Sequence, residues 1–131
     1  MKRIIPTFLI MTLLLTGCTA PEPATEANTY RQITMQQAVE MMEKEENYII
    51  LDVRTHEEFA AGHIPGAIVI PNEIIGTEEI SRLPDKDQLI MVYCRSGNRS
   101  KQASNKLVKL GYTNIIEFGG IIDWPGEVVI E

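Results

Sequence analysis

Cys94 is followed without a break by Arg95, Ser96, Gly97, Asn98, Arg99 and Ser100, and these residue types fit chemistry at one sulfur atom. The apolar run Leu89 to Tyr93 reads as a strand that carries the cysteine to the start of a tight loop. A helical pattern then runs from Ser100 to Leu110. Strand, loop and helix start together form a nest of inward-pointing N–H groups backed by the positive end of a helix dipole. Such surroundings lower a thiol from its ordinary pKa of about 8.5 and supply a thiolate at neutral pH. Gly97 and Asn98 are the types that tolerate φ > 0, which a loop wrapped around one atom requires. Arg99 closes the loop and is expected to present a planar fork to an oxyanion. Arg95 is the next candidate for that task, and Lys101 adds attraction from further off. Ser100 is placed to donate to the sulfur or to cap the helix, and capping is the simpler expectation. A buried structural thiol is the plainer reading of Cys94, but it leaves Arg95, Arg99 and Ser100 unexplained.

The elements that must position this loop alternate strand and helix. Tyr30 to Ile33 is a short extended piece. Thr34 with Gln37 is a capping box that opens a helix with Ala38, Val39, Met41 and Met42 on its apolar face. Tyr48 to Leu51 is an apolar strand of the kind covered on both faces, and it runs into Asp52-Val53-Arg54. Thr55 with Glu58 is a second capping box, and Gly62 ends its short helix. His63-Ile64-Pro65-Gly66 is a turn before a second apolar run, Ala67 to Ile70. The polar stretch Pro71 to Pro84 is expected to hold one helical turn after Thr77. Beyond the Cys94 loop, Gly111 ends the helix, Ile115 to Phe118 is a strand, and Gly119-Gly120 and Trp124-Pro125-Gly126 follow. This alternation predicts an α/β domain with a mostly parallel sheet and its reactive groups at the C-terminal strand ends, where Cys94 falls.

The N-terminal stretch is of a different kind. Lys2 and Arg3 precede an apolar run from Ile4 to Leu15, too short to span a bilayer at about 20 residues but fitting for the core of a signal peptide. Leu15-Thr16-Gly17-Cys18 resembles the lipobox of bacterial lipoproteins. That resemblance implies cleavage after residue 17 and lipid attachment at Cys18. Thr19 to Thr29 is rich in Pro, Ala, Thr and Glu and reads as a flexible tether. The chain thus divides into a signal peptide at 1–17, a lipid-anchored tether at 18–29 and a domain at 30–131. It is expected on an extracytoplasmic membrane face, as a monomer. With Cys18 lipidated, Cys94 is the one remaining thiol, which leaves no internal disulfide and no Cys-rich zinc site. The formal net charge of −6 argues against nucleic-acid binding, which needs a basic footprint.

Taken in order, Asp52-Val53-Arg54, Glu58-Phe59, Gly62 to Ala67, Cys94 to Ser100, and Gly119-Gly120 with Trp124 resemble a single-domain rhodanese over essentially all of residues 30–131. The resemblance implies a five-stranded parallel sheet between helices. It also implies sulfur transfer from thiosulfate through a persulfide on Cys94, with no cofactor and no metal. The donor would be a small sulfur-containing anion, and the acceptor a thiol, cyanide or a redox protein. Asp52 and Arg54 would brace the loop region rather than act as an acid–base pair. His63, just before the turn Ile64-Pro65-Gly66, reads as fixing that turn or supporting the site from behind. The C-terminal signature is matched in part, and the short C-terminus implies that a last helix is trimmed. Two other readings use the same residues. A Cys-dependent phosphatase or arsenate reductase also cradles an oxyanion, but in a Cys-x5-Arg loop, whereas Cys94 and Arg99 are spaced Cys-x4-Arg. A non-catalytic binding or regulatory module would keep the fold and dispense with the cysteine, which is present here.

Overall fold

The computed structural model describes Gly17, residues 28–76 and residues 78–131. The expected signal core, the Cys18 attachment site and most of the tether lie outside the described residues. The strands are β1 (Arg31–Gln32), β2 (Tyr48–Asp52), β3 (Ile68–Val69), β4 (Leu89–Cys94) and β5 (Ile115–Gly120). The helices are α1 (Met35–Lys44), α2 (His56–Ala61) and α3 (Asn98–Lys109). All five strands pair in parallel, in the order β1-β5-β4-β2-β3, so β4 lies at the centre with the cysteine at its end. This is the parallel sheet that the alternating pattern and the resemblance implied.

Side chains alternate across β4. Ile90, Val92 and Cys94 face a core that includes Ala103 and Leu107 of α3, whereas Met91 and Tyr93 face one that includes Ala38 of α1. Ile90, Met91, Val92 and Tyr93 are each 0% exposed, and burying such a side chain contributes roughly 1.5–3 kcal/mol. The loop after Cys94 therefore grows from the most thoroughly buried strand of the sheet.

Both predicted capping boxes are present, with reciprocal bonds between Thr34 and Gln37 and between Thr55 and Glu58. The end of α3 also follows the sequence. The Gly111 N–H donates to Val108 O and the Tyr112 N–H to Leu107 O, with Gly111 at φ +95°, the paired bonds of a Schellman turn.

Three local expectations are corrected. The helical turn in the polar stretch is a 3-10 turn at Asn72–Ile74, ahead of Thr77; after Thr77 a single turn closes from the Leu83 N–H to the Ile80 carbonyl without becoming helix. Asn98 is not a positive-φ residue: Gly97 alone makes that turn in the loop, at φ +109°, and Asn98 is already the first residue of α3. Ser100 consequently lies within the first turn of the helix and does not cap it.

Candidate active site

Cys94 is the last residue of β4 and is 1% exposed. Its Sγ accepts the Gly97 N–H at 3.0 Å and lies 3.4 Å from Ser100 Oγ. The sequence predicted a ring of amides around the sulfur; among the described residues the Gly97 amide is the one within hydrogen-bond reach. Gly97 turns back through its positive φ to bring that amide over the sulfur, and the chain enters α3 at the next residue. Arg95, Ser96 and Asn98 face solvent around the buried sulfur, while Gly97 and Ser100 are buried with it. Burial keeps bulk water from weakening the dipoles that act on the sulfur.

The Arg99 guanidinium is engaged. Its Nη1 and Nη2 donate to Glu58 Oε1 and Oε2 at 2.7 and 3.0 Å, a two-pronged pair that ties α3 to α2. The fork that the sequence assigned to a donor oxyanion is thus taken by a carboxylate, and exposed Arg95 is the freer cation at the loop. Glu58 serves two ends at once, since it also closes the capping box with Thr55. The hydrogen bonds from Arg99 hold the Glu58 carboxyl at a pKa of about 2, below its ordinary 4.5. A carboxylate whose pKa falls on folding stabilises the fold fully above about pH 4.5, and that contribution is lost as pH falls toward 2. Melting temperatures of wild type and Glu58→Gln should therefore differ at pH 6 and converge near pH 2. A gap that stays constant across this range would show that the pair does not couple to folding.

Asp52, at the end of β2, and Arg54 form a buried pair. The Arg54 backbone N–H and Nε–H donate to Oδ1 at 2.9 and 3.0 Å, and Nη2 donates to Oδ2 and to the Gly62 carbonyl, both at 2.7 Å. Tyr93, one residue before the cysteine, donates to Asp52 Oδ2 at 2.6 Å and accepts the Ile64 N–H. Burial, with the Asp52 hydrogen bond, pushes the Tyr93 phenol above its ordinary range. This network pins the end of β4 to the turn after α2. His63 is 2% exposed, stacks on Phe59 with ring centroids 3.7 Å apart, and places Nδ1 2.8 Å from the Phe59 carbonyl. A carbonyl only accepts, so Nδ1 carries the hydrogen. His63 fixes its turn and does not reach the sulfur.

The glycine pair has a packing reason. Between Val92↔Glu117 and Cys94↔Gly120 the β4–β5 register slips, so that β5 carries an extra residue, and Gly119 sits there at φ +101°. The bulge brings Gly120 under the loop, where a Cβ would overlap the Arg95 carbonyl and stand 2.6 Å from Ser96 Cα.

A strand-end cysteine beneath an arginine-flanked loop is joined here by a wider match. Residues 34–126 match the model of the rhodanese-like domain. This chain belongs to the rhodanese-like family. It is 41% identical over 80 residues to a sulfurtransferase of Allochromatium vinosum, covering 60% of this chain and 73% of that protein. It is 37% identical over 73 residues to the thiosulfate sulfurtransferase PspE of Escherichia coli, covering 56% of this chain and 70% of that one. Among solved structures, a rhodanese-related protein of Thermoplasma volcanium superposes with a TM-score of 0.65 at 32% identity. That match covers 78% of this chain and all of the other.

One residue of this rhodanese-like site went unnoticed in the sequence. Glu117 is 3% exposed, and its Oε1 accepts the Ser100 hydroxyl at 2.6 Å. The signal was a single charge inside the apolar run Ile115 to Phe118, two positions from Ile115 and so on the face toward α3. The tie between Glu58 and Arg99 had no local signal, because it joins residues 41 positions apart.

Proposed function

We propose that this protein is a sulfurtransferase that moves a sulfane sulfur from thiosulfate or a persulfide donor to a thiophilic acceptor through a persulfide on Cys94. The observation that carries this reading is the sulfur itself, held at the end of the central strand under the Gly97 amide at 3.0 Å. The Cys94 thiolate attacks the outer sulfur of thiosulfate, a new S–S bond forms, the old one breaks, and sulfite leaves with the electron pair. Holding the sulfur covalently divides one transfer into two displacements. The negative charge stays on the terminal sulfur, so the same donors serve before and after the step. Exposed Arg95 draws the anionic donor to an otherwise acidic chain. A small thiol, cyanide or a redox protein then accepts the sulfur.

The names of the two relatives agree with this reading. The engagement of Arg99 by Glu58 weighs against a phosphatase, in which that fork would hold the phosphate. Sulfite release from thiosulfate with cyanide as acceptor is the test, run beside hydrolysis of an aryl phosphate. The expected result is sulfite without phosphate; phosphate release without sulfite would overturn the assignment. We propose further that Cys18 carries a lipid that holds the domain on an extracytoplasmic membrane face. This rests on the Leu15 to Cys18 pattern and the apolar run before it. Incorporation of a labelled fatty acid should be lost in Cys18→Ala, and label retained there would exclude the site.

A further inference from the structure

Glu117 is a buried carboxylate one hydroxyl away from the nucleophile, and sulfur transfer as described above makes no use of it. Among the described residues no lysine or arginine nitrogen lies within ion-pair distance of it. Its partners are neutral donors: the Ser100 hydroxyl at 2.6 Å, the Gly119 N–H at 2.9 Å and the Gln32 amide at 3.4 Å. An ionised carboxylate held this way costs more than the Val or Ile that a strand covered on both faces ordinarily carries.

The Ser100 hydroxyl decides what Glu117 can do. Its Oγ has Glu117 Oε1 at 2.6 Å, the Gly97 carbonyl at 2.9 Å, the Gly119 carbonyl at 3.5 Å and Cys94 Sγ at 3.4 Å. The first three only accept, so the single hydroxyl proton points away from the sulfur and a lone pair faces it. The thiol then donates to Ser100. If Cys94 loses its proton and nothing else changes, that lone pair confronts a negative sulfur. If the hydroxyl instead swings to the sulfur, its lone pair confronts a carboxylate 2.6 Å away. Two anions on either side of one hydroxyl repel, so a single proton is favoured between them.

We propose that Glu117 is a positioning residue that receives the Cys94 proton through Ser100, so that the thiolate forms beside a neutral carboxyl. The S–H bond breaks as an O–H bond forms on Ser100, and the original Ser100 O–H bond breaks as one forms on Glu117 Oε1. No net charge enters the site. The chain of hydrogen bonds is now reversed: Glu117 donates to Ser100, and Ser100 donates to the sulfur beside the Gly97 amide. Glu117 also lines a hollow of about 430 Å³ together with Gln32, Ser96, Gly97, Lys101 and Asp123, which gives its proton a route to water. The charged and titratable groups around the pair are Lys101 and Arg99 on α3, Asp123 in the 3-10 turn after β5, and exposed Arg95 next to the cysteine. On this side β1 and α1 contribute the neutral Gln32, Thr34 and Gln37.

This inference rests on Cys94 as the sulfur-carrying nucleophile, and its test is independent of turnover. The rate of Cys94 alkylation by iodoacetamide is followed against pH in the folded protein. A pair that shares one proton gives wild type a two-step profile, with a flat interval in which the pair holds that proton. Glu117→Gln, which keeps an acceptor but takes no proton, should show one step, with the rate falling roughly tenfold per pH unit below it. Ser100→Ala should match Glu117→Gln, and Ser100→Thr should restore the two steps. A single step in wild type, or a Glu117→Gln profile of unchanged shape, overturns the relay even if that variant is less stable. Failure of the sulfur-carrier reading would look different, as wild type that takes no sulfur from thiosulfate whatever its alkylation profile.

Discussion

Cys94→Ser should fold as wild type does and release sulfite from thiosulfate only at the uncatalysed background. The substituted oxygen is smaller than sulfur but sits in the same place and can still accept the Gly97 N–H that Sγ accepts at 3.0 Å. The structural cost is that of exchanging a thiol for a buried hydroxyl, roughly 1–2 kcal/mol. On the proposed mechanism the chemical cost is total, because an alcohol is not ionised near neutral pH and lacks the polarisable atom that would store the transferred sulfur. A circular dichroism melt and a sulfite assay on one preparation separate the two effects. Sulfite release surviving in a well-folded variant would remove Cys94 from the reaction.

Gly120→Ala should be the most damaging change that touches no reacting atom. The backbone at Gly120 is extended, with φ −132° and ψ 152°, so any residue can adopt it. The objection is purely one of space, since the new methyl would meet the Arg95 carbonyl and Ser96. Both belong to the loop backbone, and they can move only by lifting the loop away from Cys94. Overpacking of this kind costs about 1–3 kcal/mol, and a shift of about 1 Å in a positioned group costs on the order of 10²-fold in rate. Gly119→Ala is the contrast. Its Cβ would meet nothing within 4 Å, but φ +101° is strained for alanine, so it should lose about 1 kcal/mol of stability. Thermal melts beside sulfite-release rates give the comparison. Equal activity in the two variants would show that close packing under the loop does not set its geometry.

Much of this arrangement was legible because it is local. Thr34 with Gln37 and Thr55 with Glu58 announce their helices through bonds that span three residues, and the two-residue alternation along β4 announces both cores. The place of Cys94 at the end of a buried strand was legible from the apolar run before it. The misreadings share a cause. Ser100 looks like a helix cap in sequence, yet Gly97 turns so tightly that α3 starts two residues earlier and Ser100 turns inward to Glu117. Arg99 looks like a free oxyanion fork, and only the fold brings α2 beside it. Glu117 gives the clearest lesson: a lone charge in an apolar strand marks a position that packing alone does not explain. Side-chain partners far apart in the chain have no signature in a single sequence, since nothing nearby constrains their choice.

The central claim is that Cys94 carries sulfur as a covalent intermediate. Intact-protein and peptide mass spectrometry, after brief exposure to thiosulfate and removal of excess donor, tests it most directly. A gain of one sulfur atom is expected on the peptide containing Cys94, lost again on addition of cyanide or a thiol. A protein that releases sulfite from thiosulfate yet never gains that atom at Cys94 would contradict it.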